Sequence, residues 1–134
     1  GVSIKNMPAL SAKSDGDVVL HALATALSQA IGGGSLGTFA KSFRTKKCDS
    51  AIYVNTILKK ISLKKYGVSN VGIMIECAFP QIDPLANRMR QRLASLLKLS
   101  VDRIGITATS GEKLSPWVKG EGIACTAIIS LIPL

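Results

Sequence analysis

Apolar residues recur along this chain with two periods, and the switches between them predict its elements. From about Asp17 to Ile31, Val18, Val19, Ala22, Leu23, Ala26 and Leu27 fall three and four residues apart, the spacing of a helix with one buried face. A second such stretch runs from about Ala51 to Lys65, with Val54, Ile57, Leu58 and Ile61 on its inner stripe. Asp49-Ser50 supplies its N-cap and Tyr66-Gly67 ends it. A third runs from about Leu85 to Lys98, with Leu85, Met89, Leu93, Leu96 and Leu97 inward. Met89 reads as core filler there. A period of two takes over in VGIMIEC (Val71–Cys77), IGITAT (Ile104–Thr109) and Ile123–Leu131, which predict strands. Val2-Ser3-Ile4 reads as a short edge strand ahead of a turn at Pro8.

The order is strand, helix, helix, strand, helix, strand, strand. It predicts an α+β fold: one domain spanning residues 1–134, with a mixed sheet and helices on one face. Gly32-Gly33-Gly34 stops the first helix, either as a plain C-cap and loop or as a hinge or anion-binding backbone. Ser35 to Cys48 reads as a solvated basic loop, with Lys41, Arg44, Lys46 and Lys47 among Ser and Thr. Lys59, Lys60, Lys64 and Lys65 suit the negative end of the second helix. Arg88, Arg90 and Arg92 read as exposed.

Charge narrows the partners. The 134 residues carry 17 basic and 8 acidic side chains, a net +9, which favours an anionic partner. Only 4% of residues are aromatic, few stacking platforms for single-stranded nucleic acid. No apolar run reaches the ~18 residues of a membrane span, and no basic-then-apolar leader is visible. Cys48, Cys77 and Cys125 are scattered, without a CxxC, which fits reduced thiols in a cytosolic-type compartment and excludes a zinc finger.

Two stretches carry candidate chemistry. In KSDGDVVLHALATAL (Lys13 to Leu27), Asp15 and Asp17 suit the positive start of a helix, and the only histidine, His21, lies one turn beyond Asp17. A neutral imidazole there is either a metal ligand or a histidine packed at a helix surface. In Thr109-Ser110-Gly111-Glu112-Lys113, two hydroxyls and a glycine can surround an anion. The Glu112 carboxylate can hold a magnesium-type ion that also meets phosphate, and Lys113 can neutralise charge. A common polar turn reads the same way.

SDGDVVLHAL and TSGEKLSPWVKGEGIAC (Thr109 to Cys125), in this order, resemble the two signatures of the 2-C-methyl-D-erythritol 2,4-cyclodiphosphate synthases of the non-mevalonate isoprenoid pathway, and the likeness runs from Gly1 to Leu131. The resemblance implies a homotrimer with sheets around a three-fold axis and active sites between subunits. It implies a cytidine diphosphate substrate whose 2-phosphate attacks the β phosphorus and expels CMP. It also implies two divalent ions: a zinc-type ion on the helix histidine, His21, and magnesium or manganese at Glu112. Ser110 and Glu112 match catalytic positions. Lys13, Ser14, Leu36, Gly37, Pro80, Thr109, Ser110 and Lys119 match substrate-binding positions.

The match departs from the family at several places. Lys13 replaces a histidine, Ser35 an aspartate and Gln81 a lysine; Ala40 to Arg44 replaces Phe-Pro-Asp-Thr-Asp, and Lys119 stands where arginine is usual. The family's opening strand, with the Asp-x-His pair that completes the zinc site, would lie before Gly1. The implied compartment is the cytoplasm of a bacterium or the plastid stroma of a eukaryote. The alternatives are a non-catalytic basic module for nucleotide or nucleic acid, and a degenerate family member kept for its scaffold.

Overall fold

The computed structural model describes residues 1–12, 14–40 and 49–134, without the side chains of Phe39, Ala40 and Lys113. Its elements are α1 (Val18–Ala30), a short α2 (Leu36–Ala40), α3 (Ser50–Leu63), β1 (Tyr66–Glu76), α4 (Asp83–Leu97), β2 (Ile104–Thr109) and β3 (Ala124–Pro133). Short 3-10 turns occupy Val101–Arg103, Gly111–Lys113 and Pro116–Lys119.

The sheet is mixed and has the order β2-β1-β3, with β1 parallel to β2 and antiparallel to β3. A parallel pair needs a crossover, and α4 supplies it. Along β1, Val71, Ile73 and Ile75 are buried while Gly72 and Met74 are exposed, so one face carries the core and the other is bare. Leu23, Ala24 and Leu27 of α1, Val54, Ile57 and Ile61 of α3, and Leu93 and Ala94 of α4 complete that core with Ile104 of β2. The α+β class and the mixed sheet with helices against one face are as the periodicity predicts.

Four expectations are corrected. Val2-Ser3-Ile4 joins no ladder among the described residues; Val2 instead packs partly buried against the core. Three alternating residues are too few to specify a strand without a partner that holds them. The loop expected from Ser35 opens as α2, whose Leu36 is buried in the core, and its remainder, residues 41–48 with Lys41, Arg44, Lys46 and Lys47, lies outside the described residues. Strand β1 begins at Tyr66, ahead of Val71. Its first half, rich in Gly, Ser and Asn, lacks a strand signature and is held by pairing with the end of β3, Tyr66 opposite Pro133 and Val68 opposite Leu131. A register shift follows between Val68 and Asn70. Arg90 is not free: its Nε donates to the Ile104 carbonyl at 2.8 Å and its Nη2 to the Val101 carbonyl at 3.0 Å, tying α4 to the start of β2.

The glycine run proves to be a helix stop. Gly32 N–H donates to the Gln29 carbonyl, Gly33 N–H to that of Ser28, and the buried Ser28 hydroxyl to that of Gly34 at 2.8 Å. Those bonds satisfy carbonyls that the end of α1 would otherwise leave bare.

Candidate functional site

The start of α1 is built by its two aspartates, which divide the work. Asp17 is the N-cap and accepts from Leu20 N–H at 2.8 Å. Asp15 accepts from Asp17 N–H at 3.1 Å, then reaches the other long helix, accepting from Ser50 N–H at 2.8 Å and from the Ser50 hydroxyl. Asp49 caps α3 through Ala51 N–H at 2.8 Å. Ser14 is thereby held at a fixed turn and His21 projects from the first turns of α1, exposed. Lys13 lies outside the described residues.

Thr109 to Glu112 sits at the carboxyl end of β2, beside the carboxyl end of its parallel neighbour β1, where open sheets of this kind offer ligand sites. Thr109, Ser110 and Glu112 are all exposed. Gly111 N–H donates to Thr109 Oγ1 at 3.1 Å, and Leu114 N–H to the Gly111 carbonyl at 3.0 Å, which close a tight turn. Gly111 has φ +59, and a Cβ there would lie 2.5 Å from Glu76 Oε1 and 2.7 Å from Val118, so only glycine fits. Glu112 also takes the left-handed conformation, φ 49 and ψ 32, which disfavours most side chains by about 1 kcal/mol.

The loop after β1 joins this platform. Cys77 N–H donates to the Thr109 carbonyl at 3.2 Å, and Ala78 N–H to the Trp117 carbonyl at 3.2 Å. Phe79-Pro80 is a cis peptide, and the Cys77 thiol donates to the Pro80 carbonyl. Lys119 is exposed at the end of its 3-10 turn, just before Gly120, which has φ +83 and packs so that a Cβ would press on the Phe79 ring. Pro80, Thr109, Ser110, Glu112 and Lys119 thus share one end of the sheet. Leu36 faces the core, so only its backbone and Gly37 are free to meet a ligand.

Within the chain His21 and Glu112 stand on opposite flanks. Glu112 follows edge strand β2, whereas α1, which carries His21, packs chiefly on the other edge strand, β3. No group of three His, Cys, Asp or Glu residues that could hold a metal exists among the described residues. His21 alone does not make a zinc site. The Glu112 set fits its ion better: one exposed carboxylate beside hydroxyls suits a hard cation that takes its other ligands from phosphate and water.

A cavity of about 610 Å³ lies between Gly1–Ile4 and Met7–Ser11, the start of α1, Met89 and Leu93 of α4, and Gly120–Ile123. Of the described candidate residues only Pro80 lines it. Both described cysteines are free, and burial pushes the Cys77 thiol up and that of Cys125 to about 11. Cys48 lies outside the described residues. No helix among the described residues is long and apolar enough to cross a membrane.

Sequence reasoning missed Glu76, whose carboxylate accepts from the Ser115 hydroxyl at 2.5 Å. In a run of strand residues its only signal was a charge where the alternation approaches the core.

Residues 1–132 match the model of the YgbB family. The chain is 38% identical over 134 residues to the 2-C-methyl-D-erythritol 2,4-cyclodiphosphate synthase of Chlamydia felis, covering 98% of this chain and 76% of that one. It is 38% identical to the enzyme of the same name from Haemophilus ducreyi, covering 98% and 83%. Among solved structures, the CDP complex of Plasmodium falciparum IspF superposes with a TM-score of 0.83 at 26% identity, over 92% of this chain and 75% of that one. The bifunctional IspDF of Campylobacter jejuni superposes with a TM-score of 0.92 at 28% identity, over 100% of this chain and 37% of the longer fused one.

Proposed function

The chain belongs to the YgbB family, and we propose that it is a 2-C-methyl-D-erythritol 2,4-cyclodiphosphate synthase, acting in the non-mevalonate route to isoprenoids. The observation that carries this reading is the loop at the end of β2, with two exposed hydroxyls and an exposed carboxylate on a turn that admits only glycine at its centre. In the reaction an oxygen of the 2-phosphate bonds to the β phosphorus, the bond from that phosphorus to the CMP oxygen breaks, CMP leaves, and an eight-membered cyclic diphosphate closes. Two anionic groups must meet, so the protein's task is orientation and charge neutralisation.

Thr109 and Ser110 donate their hydroxyl hydrogens to phosphate oxygens. Thr109 Oγ1 accepts from Gly111 N–H, which leaves its own hydrogen free to donate. Glu112 would hold magnesium or manganese, which would supply positive charge to offset that of the phosphates. Ser14 and Lys119 contribute a hydroxyl and an ammonium group, and by the resemblance Lys13, outside the described residues, contributes a second ammonium group. Pro80 shapes the cytidine pocket, and Gly37 with the Leu36 backbone forms a further contact. By the resemblance His21 would be one ligand of a zinc-type ion, whose remaining ligands, an Asp-x-His pair, are not among the described residues.

We further propose a homotrimer, which unites what a single subunit keeps apart. A ring with three-fold symmetry sets the β2 flank of one subunit beside the β3 flank of the next, and so Glu112 of one near His21 of its neighbour. The bare face of the sheet supports such an assembly, since Met74 is 49% exposed, Ile128 71% and Ile132 44%. The reading needs no membrane and no nucleic acid, and its compartment is the bacterial cytoplasm or the plastid stroma. Phosphorus NMR on the full-length protein with the phosphorylated cytidine diphosphate ester and magnesium tests it. The expected result is one cyclic diphosphate and one CMP per substrate consumed; neither product, with salt-sensitive binding of nucleic acid instead, overturns it.

A further inference from the structure

We propose that Glu76 is a positioning residue for the Thr109–Lys113 loop: from the last position of β1, its carboxylate holds Ser115 and so sets the place of Glu112. This inference rests on the reading of Glu112 given above.

Three observations converge on it. The Ser115 hydroxyl donates to Glu76 Oε1 across 39 residues of sequence, in a part-buried setting. The same oxygen lies where a Cβ on Gly111 would come within 2.5 Å, so the carboxylate sits directly beneath the turn. That turn carries the described residues Gly111 and Glu112 in succession at positive φ, 59 and 49. A left-handed glutamate persists only where its surroundings over-determine it. On one side β2 leads directly into the turn. On the other, the turn's own bonds end with Leu114 N–H on the Gly111 carbonyl; the next 3-10 turn opens with Val118 N–H on the Ser115 carbonyl, and the side-chain anchor between the two is Ser115 on Glu76. The loop is therefore clamped at both ends, and Glu76 is the clamp that β2 does not supply.

The function of such a clamp follows from the reaction. A metal-holding carboxylate that shifts by about 1 Å loses on the order of tenfold to a hundredfold in rate. Glu76 touches neither substrate nor metal in this account. It acts through Ser115 and Gly111, and its effect appears in kcat and in the metal requirement more than in substrate KM.

The test compares Ser115→Ala, Ser115→Thr, Glu76→Gln, Glu76→Leu and Glu112→Ala in the full-length protein, each titrated with magnesium. Ser115→Ala and Glu76→Leu are expected to lower kcat by about tenfold or more, leave KM within about twofold, and raise the magnesium concentration for half-maximal rate. Ser115→Thr, which keeps the hydroxyl, and Glu76→Gln, which keeps an acceptor, are expected to recover most of the rate. Should Glu76→Leu fail to fold, the nearly isosteric Ser115→Ala decides. Wild-type kcat and magnesium midpoint in Ser115→Ala, beside an inactive Glu112→Ala, overturn the clamp and leave the proposed function standing. Wild-type turnover in Glu112→Ala instead overturns the role of Glu112. Amide exchange over 110–114 then judges the clamp alone: exchange about tenfold faster in Ser115→Ala supports it, and unchanged exchange overturns it.

Discussion

The start of α1 and the loop after β2 lie at the same end of the sheet, yet they are held by different means. The capping bonds of the helix start span two or three residues, Leu20 N–H to Asp17 and Asp17 N–H to Asp15, and Asp15 adds one distant link, to Ser50. The loop after β2 makes two local bonds of its own, but its position depends on Glu76, on the Ala78–Trp117 backbone bond and on Cys77 pairing with Thr109. A helix start whose cap forms within one turn can carry a ligand on an exposed helical face. A turn that must be clamped from a neighbouring strand can carry a strained residue, and Glu112 is that residue.

The sharpest way to break the comparison is to place its two ends in different subunits. His21→Ala and Glu112→Ala are each expected to lower turnover by about a hundredfold or more. His21→Ala should leave melting nearly unchanged, because His21 is exposed. Co-refolded one to one, the two variants are expected to regain about a quarter of wild-type turnover, since a neighbour pair then supplies one intact His21 and one intact Glu112. No recovery would mean that both groups serve one subunit's own site.

A smaller effect separates the two aspartates. Asp15→Ala strips partners from the N–H and hydroxyl of Ser50, which is 1% exposed, and should cost about 2 kcal/mol in denaturant unfolding. Asp17→Ala removes a helix cap and should cost about 1 kcal/mol. Equal costs would deny Asp15 its link to α3.

A chemical control bears on both regions, and its effect on them is the smallest. With its thiol raised from 9.0 to about 11, Cys125 holds about a hundredfold less thiolate at pH 8 than an unperturbed cysteine, so its alkylation should be slower by that factor. The rate should not change in Glu112→Ala, and a rise in Asp15→Ala, followed by peptide mass spectrometry, would show the core loosening with the lost link.

Much of this architecture was legible because it is periodic. The three long helices and the cores of three strands follow from apolar spacing, and the stops at Gly32 and the cap at Asp49 from residue chemistry that acts over one turn. The two signature stretches could likewise be read directly, since their residues lie side by side in the chain. The first half of β1 could not, because Tyr66 to Asn70 becomes a strand only through the partner it finds in β3. Nor could the burial of Leu36, the tie of Arg90 to β2, or the clamp of Glu76 on Ser115, each of which joins residues far apart in sequence. Local propensity and period act within a few residues, so a sequence by itself determines elements and short motifs. The strand order put His21 and Glu112 on opposite flanks, a property of the whole sheet that tertiary packing alone decided.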